Sequence, residues 1–184
     1  MFSKRDTLND VGIFLFEEEK KLKTWSKFFI FSIVSLFFLY GCHSDPNLTS
    51  DDSTFQYKDS YVGDNSAVIN LITQLEGSDH LNGLELKTKE EPYGIIINYD
   101  WIDIELNHQE TAINNASYLF TLIQNVNWIN FRFDMGSGVE EYTVTREELD
   151  DWYNAELFEI NNEDKLKDLM QETSEQKTTA DFFN

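Results

Sequence analysis

A chain with one cysteine folds without an intramolecular disulfide, so apolar burial and hydrogen bonding must hold it together. That cysteine, Cys42, stands at a sharp break in the sequence. Before it run thirteen residues without a charge, Phe28 to Tyr40 (FFIFSIVSLFFLY), and then Gly41. After it the chain turns polar at once (HSDPNLTSDDST). As a helix the apolar run is ~20 Å long, against ~30 Å for a hydrocarbon core. It is short for a permanent span, and a folded domain is expected only beyond the break. Charge divides at the same point. Residues 1–41 carry six Lys or Arg and five Asp or Glu; residues 42–184 carry eight and 29, a net −21. A domain so acidic repels nucleic-acid phosphates and anionic lipid surfaces, which leaves cations, basic proteins and neutral ligands as partners. Its 41% hydrophobic and 15% aromatic residues are too many for a disordered chain.

Lys20 to Lys27 (KKLKTWSK) precedes the apolar run with four positive charges, so the order is basic, apolar, small residue, as in a secretory signal. Leu39-Tyr-Gly-Cys42 resembles the lipobox of bacterial lipoproteins, with Leu39, Gly41 and Cys42 matching. The resemblance implies a diacylglyceryl group on Cys42, cleavage just before it, and anchoring through two acyl chains. The expected location is the outer face of the cell membrane. The alternative is an uncleaved single-pass signal anchor over about residues 28–42. Either way the basic flank stays inside. Residues 1–19 make a long start for a signal: either the true start lies downstream or they form a cytoplasmic tail.

Beyond Cys42, residues 42–60 read as a flexible tether, 61–170 as the folded domain and 171–184 as a polar tail. Asp64-Asn65-Ser66 has helix-capping chemistry ahead of a stripe at Val68, Leu71, Ile72 and Leu75, which Gly77 ends. Leu84–Thr88 and Tyr93–Tyr99 alternate as strands around Pro92. Ala112, Ala116, Leu119, Phe120 and Ile123 line the buried face of a helix over 111–124. Trp128–Phe133 and Glu140–Thr145 flank the turn Gly136-Ser-Gly138. Thr145-Arg-Glu-Glu148 is a capping box opening a third helix, and 162–170 form a last one. The order helix-hairpin-helix-hairpin-helix predicts an α+β fold: an antiparallel sheet of about four strands with helices packed on one face.

Four groups of residues recur in this order in a known family: Tyr61-Val-Gly-Asp-Asn-Ser66; Glu91-Pro-Tyr-Gly94 with Asn98-Tyr99; Asn125-Val-Asn127 with Ile129-Asn-Phe131; and Thr145-Arg-Glu-Glu-Leu149. Over about residues 58–160 the chain resembles an uncharacterised domain family of Gram-positive envelope lipoproteins. Related copies resemble the extracytoplasmic part of sensor-type membrane metallopeptidases. The resemblance implies an envelope location and carries over no catalytic residue.

Tyr61, Gly63, Asp64, Asn65, Tyr93 and Asn98 are the candidate ligand-binding residues, with backbone N–H groups offered at a helix start. A helix cap, with Gly63 supplying the turn geometry, accounts for the first four better than a ligand does. His43, His80 and His108 lack metal-site spacing, and Asp100, Asp103 and Glu105 lack a calcium loop, so no metal or cofactor is expected. The chain contains no G-x-S-x-G or Walker-type sequence, and its paired carboxylates are adjacent in sequence, which points away from an enzyme. The leading expectation is a membrane-anchored binding or sensory module. It would take an envelope protein or peptide over the sheet face or near Trp101, Trp128 and Trp152, and no nucleic acid. The alternatives are a cation-binding structural lipoprotein and a hydrolase with an unrecognised site.

Overall fold

Two hairpins and the helix between them set the architecture. The computed structural model describes residues 53–183, so Leu39, Gly41 and Cys42 lie outside the described residues. Strands β1 (Leu81–Lys87) and β2 (Gly94–Asp100) form the first hairpin, β3 (Trp128–Asp134) and β4 (Val139–Thr145) the second. Helix α1 (Asn65–Ile72) precedes them and α2 (His108–Leu122) joins them. Helices α3 (Arg146–Tyr153), α4 (Glu163–Ser174) and α5 (Thr179–Phe182) follow. This is the expected α+β fold with four strands in the order β1-β2-β3-β4.

One pairing departs from expectation. β1–β2 and β3–β4 are antiparallel, but β2 and β3 run parallel, from Gly94↔Trp128 to Asp100↔Asp134, so the sheet is mixed. The cause is a match of lengths. A fifteen-residue helix spans ~22 Å and a seven-residue strand ~23 Å. Helix α2 therefore carries the chain from the end of β2 back to its start, and β3 enters in the same direction.

The period-two pattern decides which face is covered. Ile95, Ile97 and Tyr99 of β2, Ile129, Phe131 and Phe133 of β3 and Val144 of β4 are buried. They pack in one core with Ala112, Ala116, Leu119 and Phe120 of α2 and with Ile123, which caps it. The alternate residues Ile96, Asn98, Asn130, Arg132 and Thr143 lie on the opposite face, which remains partly or fully open.

Trp101 sits in the core, edge-on to Tyr99 (5.6 Å) and Phe133 (4.9 Å), and its indole N–H donates to Leu106 O (3.2 Å). It is not available on the surface, contrary to expectation. Gly77 has φ +75°, and a Cβ there would fall 2.8 Å from the Trp101 ring, so both backbone sign and space require glycine.

The folded unit reaches past the expected boundaries at both ends. Ser53 caps a 3-10 turn (Thr54–Tyr57) and donates to Glu163 (2.8 Å), while Ser60 bridges Ile123. Residues 53–60 are therefore docked structure rather than tether. At the other end Gln171–Ser174 complete α4, and Phe182 and Phe183 pack against Trp152 and Tyr142. In both places a polar average concealed a few aromatic anchors.

The core also predicts an alkaline limit. Tyr99 donates no charge to its surroundings while neutral; burial pushes its pKa up to about 12, opposed by the hydrogen bond from Asn115. A folded-state value above the unfolded ~10 means the contribution is whole below pH 10 and disappears as pH rises to about 12. Two units correspond to about 3 kcal/mol. Urea melts between pH 9 and 12 are expected to show that loss, and Tyr99→Phe to shrink it. An equally steep loss in the variant would exclude Tyr99 as its source.

Candidate functional site

The distinctive sequence groups meet at one pole of the sheet, where α2 ends and β3 begins. Asn125 Oδ1 accepts from Val62 N (2.8 Å) and Asn127 Oδ1 from Tyr93 N (3.2 Å). The Asn127 backbone donates to Tyr93 O and accepts from Arg146 N. Arg146 closes the junction. Its guanidinium donates to Val126 O (3.0 Å), Phe120 O (2.8 Å) and Ile123 O (2.7 Å), with a longer bond to Gln124 O (3.4 Å), and lies over the Phe120 ring. Phe120 lies in the last turn of α2 and the other three just beyond it, so these carbonyls lack partners inside the helix. Burial lowers the Arg146 pKa, and Asp150 acts the other way.

The six candidate ligand-binding residues fall on three elements. Asp64 caps α1, accepting from Ala67 N (3.1 Å), with Asn65 the first helical residue. Tyr61 is exposed, and nothing crowds Gly63. Tyr93 is stitched to Asn127 before β2, and Asn98 stands on the open sheet face. None of the six lines either pocket described below.

Of the three tryptophans expected near a site, Trp128 marks a different place. Beside the Arg146 junction is a pocket of about 630 Å³ whose apolar walls are Pro92, Trp128 and Phe158. The Trp128 indole N–H donates to Pro92 O (3.0 Å), and its ring lies flat over Gly94. Only a residue without a Cβ fits beneath it: a Cβ on Gly94 would come within 2.1 Å of the ring. Five carboxylates, Glu147, Asp150, Asp151, Glu156 and Glu159, complete the lining. Arg146 is the single cation in it, and backbone carbonyls occupy its guanidinium. Lys58 approaches Phe158 by stacking on its ring and donates to Phe158 O and Thr121 O. Aromatic walls and a carboxylate rim suit a cation on an apolar stem, as in a Lys or Arg side chain. The sequence signals were Trp128, the Pro92-Tyr-Gly94 run and Asp150-Asp151, but they lie far apart in the chain.

The histidines stand apart from this pocket. His108 Nε2 lies 3.0 Å from both Tyr142 OH and Glu140 Oε2, and His80 is edge-on to Trp101. Among the described residues no three His, Cys, Asp or Glu side chains come together to hold a metal ion.

A family model for a domain of unknown function, DUF4825, matches residues 54–145. The chain belongs to this family. The DUF4825 match takes in the whole sheet with α1 and α2 and stops at Thr145, so Arg146 and helices α3 to α5 follow it. Pro92, Asn127, Trp128 and Thr145 come from the DUF4825 part of the pole pocket, and the carboxylates from beyond it. Comparison with curated proteins gives no match, and neither does comparison with solved structures.

Proposed function

We propose that this DUF4825 chain is an extracytoplasmic lipoprotein of the bacterial envelope, held by lipid on Cys42. Its domain serves as a binding module that takes a basic segment of another envelope protein in the pole pocket. The anchor rests on the basic flank, the short apolar run and Leu39-Tyr-Gly-Cys42. The pocket carries the binding reading: three apolar walls, five carboxylates and a lone cation already committed to backbone. Among the described residues no helix is long and apolar enough to cross a membrane.

One experiment tests both halves. A photoreactive phenylalanine at position 128 is activated in intact envelopes, and the membrane-extracted chain is weighed. The expected result is a discrete adduct with one envelope protein, missing when the probe sits at exposed position 168 on α4. The chain itself should lack residues 1–41 and carry a diacylglyceryl mass. Retention of residues 1–41 would defeat the anchor; equal labelling from 128 and 168 would defeat the pocket.

A further inference from the structure

On the other side of α3 a second groove, of about 570 Å³, lies among α2, α3, α4 and α5. Ile113, Tyr153 and Met170 line it, with Trp152 at its side. Lys177, Thr178 and Thr179 form one wall of it, and the chain's own segment Lys177–Phe183 continues beyond. Lys177 Nζ donates to Trp152 O and stacks over the Trp152 ring at 4.6 Å. Thr178 and Asp181 form a reciprocal cap around the single turn of α5. Phe182 meets Trp152 edge-on at 5.5 Å, and Phe183 packs on Tyr142 at 4.8 Å. No residue of this segment is buried: the two rings are half-covered and Lys177 is exposed. One lysine and two rings seat it on aromatic partners, and α5 also packs against α2, without insertion into the core. Such marginal burial places a segment at the easily opened end of a structure's stability range.

We propose that the seat of Lys177–Phe183 along this groove is a peptide-binding site, occupied in cis by that segment. Its external ligand is a peptide with a basic residue followed, five and six positions later, by two aromatic ones. The seated segment defines the chemistry: a cation on the Trp152 ring, one ring on its edge, a second on Tyr142. A tethered segment acts at roughly millimolar effective concentration, so a peptide of roughly 100 µM affinity would be held off about tenfold. The groove takes Trp152 and Tyr153 from α3, and the pole pocket takes Glu147, Asp150 and Asp151. The two proposals therefore stand or fall separately.

The test uses the chain shortened to end at Gln176 and a labelled peptide spanning residues 176–184. Fluorescence polarisation should show saturable binding to the shortened chain and about tenfold weaker binding to the full chain. A peptide with Phe182→Ala and Phe183→Ala should not bind. Equal binding by both chains, or none by a shortened chain with unchanged circular dichroism, overturns the proposal. If shortening unfolds the domain, the full chain with Phe182→Ala and Phe183→Ala provides the open groove, and failure of the peptide to bind that chain overturns it equally.

Discussion

Arg146→Ala is expected to cost about 3–5 kcal/mol, a large part of the stability of a domain this size. The last carbonyls of a helix have no intrahelical partner, and burial without a substitute donor is costly. Three of the four Arg146 bonds are short and charge-assisted, and they meet Phe120, Ile123 and Val126, all of which are fully buried residues. Removing the guanidinium strands these acceptors together. It also removes the desolvation cost of the charge itself, which keeps the estimate below the sum of the separate bonds. Arg146→Lys should recover only a small part, because one ammonium cannot reproduce a planar fork directed at several carbonyls. Urea unfolding with an unchanged m-value reads the difference. A loss under 1 kcal/mol for Arg146→Ala would mean that the pole is not held by this residue.

Gly94→Val should cost less than Arg146→Ala but act more selectively. Its backbone is extended strand, so φ is not the issue; the Trp128 ring occupies the Cβ position. Either the ring leaves the sheet or β2 shifts, and overpacking of this kind costs about 1–3 kcal/mol. Because the indole is also a pocket wall, the substitution should weaken binding at the pole while leaving the Lys177–Phe183 groove intact. A double-mutant cycle isolates the clash. Gly94→Val in a Trp128→Ala background should cost much less than in the parent, since the obstructing ring is gone. Strict additivity would show that the two residues do not compete for one space.

Local chemistry was well written into this sequence. Asp64 and Thr145 cap the helices that their positions indicated, and the Thr145/Glu148 capping box forms in full. The turn at Gly136 joins the second hairpin, with φ +74°. What the sequence concealed was non-local. No residue announces that β2 and β3 run parallel; that follows from the length of α2 against the strands. The anchors of 53–60 and 178–183 are few, and they depend on distant partners: Ser53 on Glu163 and Lys58 on Phe158 at one end, Phe182 and Phe183 on α3 and β4 at the other. The three tryptophans expected near one site divide into core (Trp101), pole pocket (Trp128) and second groove (Trp152). The recurring motif residues are used mainly in holding the pole together: Asn125 and Asn127 bind backbone. The pocket beside them draws its walls from positions 92, 128 and 158, which no spacing rule connects.

The pole pocket is tested most directly by calorimetric titration of the purified chain with hexalysine, controlled for net charge. One triple variant removes pocket carboxylates, Asp150→Asn, Asp151→Asn and Glu156→Gln; asparagine at 150 can still accept from Leu157 N. The other removes the same charge from exposed positions on α4, Asp164→Asn, Asp168→Asn and Glu172→Gln. Tenfold weakening, about 1.4 kcal/mol, is expected in the first with less than twofold change in the second. Equal weakening in both would show that the peptide responds only to the domain's overall negative charge, and that the pocket is not a binding site.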